Sequence, residues 1–340
     1  MPCAAPFLVG NRNPVDVTHL NRYRESMSDQ FSEHEFLAWL RGLPSDDRLL
    51  IPIGDDAALL DDHHQGILLA SDAVVEGTHC EVGPKAAEIL SRKVVRSNLS
   101  DIAAMGGKAE SLLLNMILPR QIAKKASRQI LETVHSECQE WQVALAGGDT
   151  ICAGDRIILS ACVTGRPIAE PIKRSGAKVG DLIVVTGSLG GSILGHHSTF
   201  IPRLREAEEL VRLGPPSAMA DISDGFLRDL NNILTSSNVG AIVQAEQIPI
   251  SPAARALSES KGEKTALDHA LYDGEDFELI FTIPPERFAL MRVEWNIDTK
   301  LTVTGEVMES GLYLSREGEV CEVSPGGFDH GKVKEDRGDE

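Results

Sequence analysis

Aspartates recur through this chain in loops of small residues, and no other feature restricts its folding so tightly. They stand at Gly54-Asp55-Asp56-Ala57, Ser71-Asp72, Ser100-Asp101, Gly147-Gly148-Asp149-Thr150 and Asp221-Ile222-Ser223-Asp224-Gly225. Most of these loops follow a short apolar run that reads as a strand or helix. Carboxylates brought together repel one another, and each costs free energy to desolvate. A fold that gathers them needs a positive charge. Oxygen ligands without thiolates favour Mg²⁺ or a similar hard cation, which usually keeps water and phosphate oxygens as its other ligands. The pattern points to a Mg-nucleotide site.

The rest of the composition narrows the field. The chain has 340 residues, 42% hydrophobic and 25% charged, enough for two ordinary domains. A net charge of −18 argues against a general nucleic-acid binder, which would carry a basic patch. Six cysteines (Cys3, Cys80, Cys138, Cys152, Cys162, Cys321) show no CxxC spacing and no grouping with histidines, so zinc and disulfide readings are poor. No apolar run approaches membrane-spanning length, and a cytoplasmic location is expected.

Periodicity divides the chain. Residues 1–28 read as a disordered extension, with order expected just after Met27. A capping box at Ser32-Glu33-His34-Glu35 then opens a first domain, 29–166. Strands are expected at Leu49–Ile53, Ile67–Ala70, Ser111–Leu118, Val143–Ala146 and Arg156–Thr164, with helices over 85–105 and 120–141. A second domain, 167–331, begins in a basic loop holding Lys173, Arg174 and Lys178. In it, strands are expected over 182–186, 240–244, 278–283 and 301–304. Helices are expected around 188–197, 203–212 and 225–235, and a charged tail, 332–340, follows.

Each motif also has a plainer reading. Gly54-Asp55-Asp56 and Gly147-Gly148-Asp149-Thr150 would serve equally as turns. Backbone N–H groups at the second would hold a phosphate, with Asp149 on Mg²⁺. Ser223 or Asp224 caps the helix after Gly225, whose N-terminus also makes an anion site. An ionised Asp101 among Ala103, Ala104, Gly106 and Gly107 is less readily explained as core. His79 and the Gly274-Glu275-Asp276-Phe277-Glu278 loop are consistent with substrate contacts or with structure. The chain has no GxxxxGK[ST] loop, no dinucleotide GxGxxG, no kinase signature set and no GxSxG elbow.

Taken in order, the strings Ile53-Gly54-Asp55-Asp56-Ala57-Ala58, Ser71-Asp72-Ala73-Val74-Val75-Glu76-Gly77-Thr78-His79 and Asn98-Leu99-Ser100-Asp101-Ile102-Ala103-Ala104-Met105-Gly106 resemble the thiamine-monophosphate kinase family. So do Gly147-Gly148-Asp149-Thr150, Arg174-Ser175-Gly176-Ala177, Asp221 to Gly225, Gly274 to Leu279 and Gly327-Phe328-Asp329-His330. The resemblance covers about residues 30–330. It places the chain in the aminoimidazole-ribonucleotide-synthetase-like superfamily. It implies a two-domain mixed α/β fold, with N-terminal sheets pairing into a barrel across a homodimer and a C-terminal α/β domain. The implied reaction is transfer of the ATP γ-phosphoryl group to thiamine monophosphate, directly and in line, with several Mg²⁺ ions as cofactors. Family roles put Mg²⁺ on Asp55, Ser71, Asp72, Asp101, Asp149, Asp221 and Asp224. They put ATP on Gly148, Asp149, Arg174 and Ser223, and thiamine monophosphate on His79, Glu275 and Phe328. Cys80 stands where the family usually has an aromatic. The alternatives are another ATP-using enzyme of the superfamily or a non-catalytic Mg-nucleotide sensor.

Overall fold

Two β-sheets and one long shared helix organise the molecule. The computed structural model describes residues 49–51, 54–62, 64 and 66–328. The 1–28 extension, the capping box at residues 32–35 and the 332–340 tail lie outside the described residues. The first half comprises β1 (Leu49–Ile51), β2 (Ala58–Leu60), β3 (Ile67–Val75), α1 (Ala86–Ala104), β4 (Gly107–Leu118), α2 (Ala123–Glu140), β5 (Ala144–Cys152) and β6 (Ile158–Pro167). Its strands lie in the order β1-β2-β3-β6-β4-β5, and only β4 and β5 run parallel.

The second half comprises β7 (Leu182–Thr186), the short α3 (His196–Thr199), α4 (Leu204–Leu213), β8 (Ala218–Asp221), α5 (Phe226–Ser237) and β9 (Gly240–Gln244). It continues with α6 (Pro252–Lys261), α7 (Ala266–Tyr272), β10 (Leu279–Ile283), α8 (Pro285–Glu294), β11 (Leu301–Met308), β12 (Leu312–Arg316) and β13 (Glu319–Glu322). The strand order is β13-β12-β9-β11-β7-β10-β8. The mixed α/β two-sheet architecture expected from the sequence is the one found.

Period-2 patterning explains the first sheet. Along β4, Leu112, Leu114, Met116 and Leu118 are buried while Leu113 and Asn115 face out. The buried face packs on Val94, Leu99 and Ile102 of α1 and on Ile130 and Val134 of α2. Helix α1 is covered on nearly every side. Its last turn, Ala103 and Ala104, belongs to a different core with Val184, Leu210, Met219 and Phe281 of the second half. Those alanines let backbones from the two halves approach closely, and the helix is buried because it serves both.

Several local expectations change. β3 runs on to Val75, so Ser71 and Asp72 sit in mid-strand rather than at a strand end. Gly147-Gly148-Asp149-Thr150 is part of β5 rather than a loop. A Cβ on Gly148 would stand 1.6 Å from the Leu114 carbonyl oxygen, at a φ of +152°. Only glycine lets β5 lie against β4 there. Residues 188–197 form no single helix, because Gly190, Gly191 and Gly195 take positive φ and break it into short turns. β8, α6, α7, α8, β12 and β13 are short or lack clean periodicity and were not anticipated.

Gly148→Ala is expected to cost at least about 1–3 kcal/mol from backbone strain, and more from parting the strands. Gly147→Ala meets only Leu113 Cδ2 at 3.8 Å and provides the strain-only comparison. Urea midpoints of the two variants measure the difference.

Candidate active site

Three carboxylates meet where the two halves join. Asp56 comes from the turn between β1 and β2, Asp101 from the last turns of α1, and Asp221 from the end of β8. Each offers an oxygen within 4.8 Å of the others. Ser100, beside Asp101 on α1, donates its hydroxyl to Asp221 Oδ2 at 2.6 Å, tying the helix to β8. Asp101 and Asp221 are both pushed well above the usual carboxylate range. Burial is the largest cause for each; the Asp72, Asp221 and Asp56 charges add to it at Asp101, and the Asp56 charge at Asp221.

Arg174 supplies the neighbouring positive charge. Its Nε and Nη2 make a fork on Asp56 at 3.0 and 2.8 Å, and the Asp56 side chain is 0% exposed. Its backbone N–H donates to Asp55 Oδ1 at 2.6 Å. Burial opposes the guanidinium's charge, but the Asp56 pairing holds its pKa above the ordinary value. Asp55 and Asp72 are themselves raised, chiefly by burial. The donor set is all hard oxygen and carries more negative charge than one arginine offsets. It therefore fits a divalent cation such as Mg²⁺.

The structure brings Asp55, Asp72, Asp101, Asp221 and Arg174 to one place and leaves other expected residues apart. Ser71 lies on the opposite face of β3 from Asp72 and donates its hydroxyl to the Ala161 carbonyl. Gly148 shares a cross-sheet row with Asp72 through Leu114 and Ala161, three strands away, or roughly 14 Å. Asp149 is exposed on β5 and accepts the Thr150 N–H. Beside it a groove of about 310 Å³ is lined by Leu114, Met116, Leu131 and Leu145 together with Gly147–Thr150. Asp224 lies toward Arg228, at 3.4 Å, and its carbonyl accepts the Phe328 N–H.

Four residues matter beyond the assigned ligands. Asp56, rather than its neighbour Asp55, completes the carboxylate trio, and adjacent aspartates in a motif cannot be ranked without the turn geometry. Ser100 aligns Asp221. Asp229 is buried, and its Oδ2 accepts the N–H groups of Ser223, Asp224 and Gly225 at 3.0, 3.0 and 3.2 Å. Burial and then the Asp224 charge raise its pKa to about 8. The expected anion site at the start of α5 is thus filled by the helix's own carboxylate. Its signal was an Asp beside the apolar stripe of Leu227, Leu230 and Ile233. Lys93 is 1% exposed, donates to the His79 carbonyl at 2.8 Å and pairs with Glu275 at 2.6 Å.

The Gly274–Glu278 loop is tied down residue by residue. Glu275 and Phe277 take left-handed φ of 66° and 49°, and their N–H groups bond the carbonyls of Ser223 and Ile222 at 2.7 and 2.8 Å. Asp276 accepts the Gly190 N–H, Phe277 stacks on Phe200 at 3.9 Å, and Glu278 takes the Arg203 fork. His79 Nδ1 accepts the Val75 N–H, which makes Nε2 the protonated nitrogen of the neutral ring.

Two halves of mixed α/β structure with a carboxylate cage at their junction define the class. Residues 54–166 match the N-terminal domain of AIR synthase related proteins, and 178–311 match their C-terminal domain. The thiamine-monophosphate kinase of Rhodopirellula baltica is 37% identical over 316 residues, spanning 88% of this chain and 98% of that one. That of Pyrococcus horikoshii is 31% identical over 295 residues, with 82% and 90% covered. Among solved structures, AaThiL complexed with AMPPCP and TMP superposes with a TM-score of 0.77 at 25% identity, over 90% of this chain and 100% of that one. The chain belongs to the thiamine-monophosphate kinase family.

Arg174→Met leaves Asp56 covered and unpaired, and is expected to cost about 3 kcal/mol. Adding Asp56→Asn to the same chain is expected to restore part of that loss. Guanidinium denaturation of the two variants and the parent tests the pairing.

Proposed function

We propose that this chain transfers the γ-phosphoryl group of ATP to the phosphate of thiamine monophosphate, giving thiamine diphosphate and ADP. The observation that carries this reading is the Asp56–Asp101–Asp221 trio, drawn from both halves of the chain. Family membership supplies the identity of the two substrates.

Asp56, Asp101 and Asp221 would hold one Mg²⁺. Asp55, Asp72, Asp149 and Asp224, with Ser71, are the further candidates for additional ions. When bound, Mg²⁺ supplies positive charge that offsets the repulsion between donor and acceptor phosphates. The chain's own part is positioning. Arg174 spends its fork on Asp56, so it orients a carboxylate that would hold the cation. Ser100 fixes Asp221, and Asp229 fixes the backbone of Ser223 and Asp224. The acceptor phosphate is already an anionic nucleophile at neutral pH, so no protein base or nucleophile is required.

Gly148, Asp149 and the adjoining groove suit the nucleotide end, with Arg174 and Ser223 nearer the phosphates. His79, Glu275 and Phe328 suit the thiamine end. The outward face of the first sheet carries exposed Leu113 and Ile151. Exposed apolar groups on this face support a homodimer in which the face meets its copy. Among the described residues no helix is long and apolar enough to cross a membrane, which accords with a cytoplasmic setting.

A coupled assay for thiamine diphosphate with Mg·ATP tests the reading directly. Asp101→Asn is expected to lower kcat by about 10²–10³-fold. The same change removes a repelled buried charge, so the metal-free variant is expected to be more stable by about 0.5–2 kcal/mol. It should also lose most of the Mg²⁺-dependent rise in Tm seen for the parent. Normal turnover in Asp101→Asn, or a phosphorylated enzyme intermediate, would count against this assignment.

A further inference from the structure

Lys93 has no place in the carboxylate cage, yet it stands among the largest fully buried side chains, beside Phe200, Phe226 and Phe281. It lies on α1 about two turns before Ser100 and Asp101, on a helix whose Leu90, Val94 and Leu99 are also buried. A buried ammonium is costly to desolvate, and a buried ion pair commonly adds no more stability than an apolar pair of the same size. Packing alone would be met by methionine. The charge therefore answers some other demand.

Its two partners show which. Lys93 Nζ donates to the carbonyl of His79, in the turn after β3, and pairs with Glu275 Oε1 at 2.6 Å. One partner belongs to the first half and the other to the second. Glu275 has the left-handed φ of 66°, and its N–H bonds the carbonyl of Ser223, next to Asp221 and Asp224. Its carboxylate is 30% exposed, so one end reaches solvent while the other is anchored. A single buried cation thus ties the His79 turn to the Glu275 loop, and the Glu275 backbone ties that loop to the segment holding Asp221 of the cage. Burial lowers the Lys93 pKa, and the Glu275 charge beside it counters this.

We infer that Lys93 is a positioning residue for the phosphoryl acceptor: it fixes the spacing of His79 and Glu275 and sets both relative to the carboxylate cage. This inference rests on the proposed function, in which those two residues face thiamine monophosphate. Lys93 itself touches neither substrate and acts through Glu275 and the His79 carbonyl.

Steady-state kinetics with each substrate varied in turn tests it, using the full chain and Lys93→Met, Glu275→Gln and the double variant. Lys93→Met is expected to melt no lower than the parent, since methionine fills the site without a charge. Its KM for thiamine monophosphate should rise about tenfold or more, with KM for Mg·ATP within twofold. Glu275→Gln should show the same one-sided rise, and the double variant should be no worse than Glu275→Gln alone. Equal losses for both substrates with a lowered Tm would make Lys93 merely structural and overturn the inference. An unchanged KM for thiamine monophosphate in Glu275→Gln, or in the double variant that leaves no buried charge unpaired, overturns it whether or not Lys93→Met folds. Absence of thiamine diphosphate formation by the parent chain overturns the proposed function and this inference with it. An active parent with unaffected variants overturns the inference alone.

Discussion

The bidentate pairing of Arg174 with Asp56 is the contact on which the junction depends. Without it, a fully covered carboxylate would stand beside two others already forced toward their neutral forms. Arg174 lies between the two sheets in sequence, and its partners Asp55 and Asp56 lie near the start of the described chain. The pairing therefore brings together residues more than a hundred positions apart. It neutralises only part of the charge. What remains favours a divalent cation over a closed, self-satisfied core.

Helix α1 gives this electrostatic arrangement its rigidity. Apolar side chains from its middle fill the first core, and its terminal alanines enter the second. Between these anchors it carries Lys93 to Glu275 and Ser100 to Asp221, and sets Asp101 beside Asp56 and Asp221. Side chains three and four apart share a helix face, so Lys93, Ser97, Ser100 and Ala104 form one stripe, from which Lys93 reaches Glu275 and Ser100 reaches Asp221. A helix held on nearly every side has few ways to tilt, which suits a site that must position two phosphates in line.

Much of this was legible in the sequence. The aspartate motifs, the α1 helix and the mixed α/β class all follow from periodicity, small-residue loops and the resemblance. The misses have definite causes. β5 crosses a Gly-Gly pair that reads as a turn, because the parallel contact with β4 that requires glycine is long-range. Asp56 and Asp55 are indistinguishable until the turn shows which one points inward. Asp229 and Lys93 look like solvent-facing charges of amphipathic helices, and only tertiary packing reveals that both are buried. Ser71 and Asp72 adjoin in sequence, and only the strand shows that their side chains leave on opposite faces.

The division of the cage between the halves bears on the order in which the chain is made. Asp56 and Asp101 leave the ribosome well before Asp221, and Arg174 emerges between them. Until β8 has been synthesised and docked on α1, the nascent first half has an incomplete ligand set and an uncovered pair of alanines at the end of its central helix. A truncated or half-translated chain cannot assemble the trio, so chelation is coupled to completion of the polypeptide. Fragments of this chain should therefore be poor competitors for cellular Mg-nucleotide, leaving metal capture to molecules whose two sheets have already met.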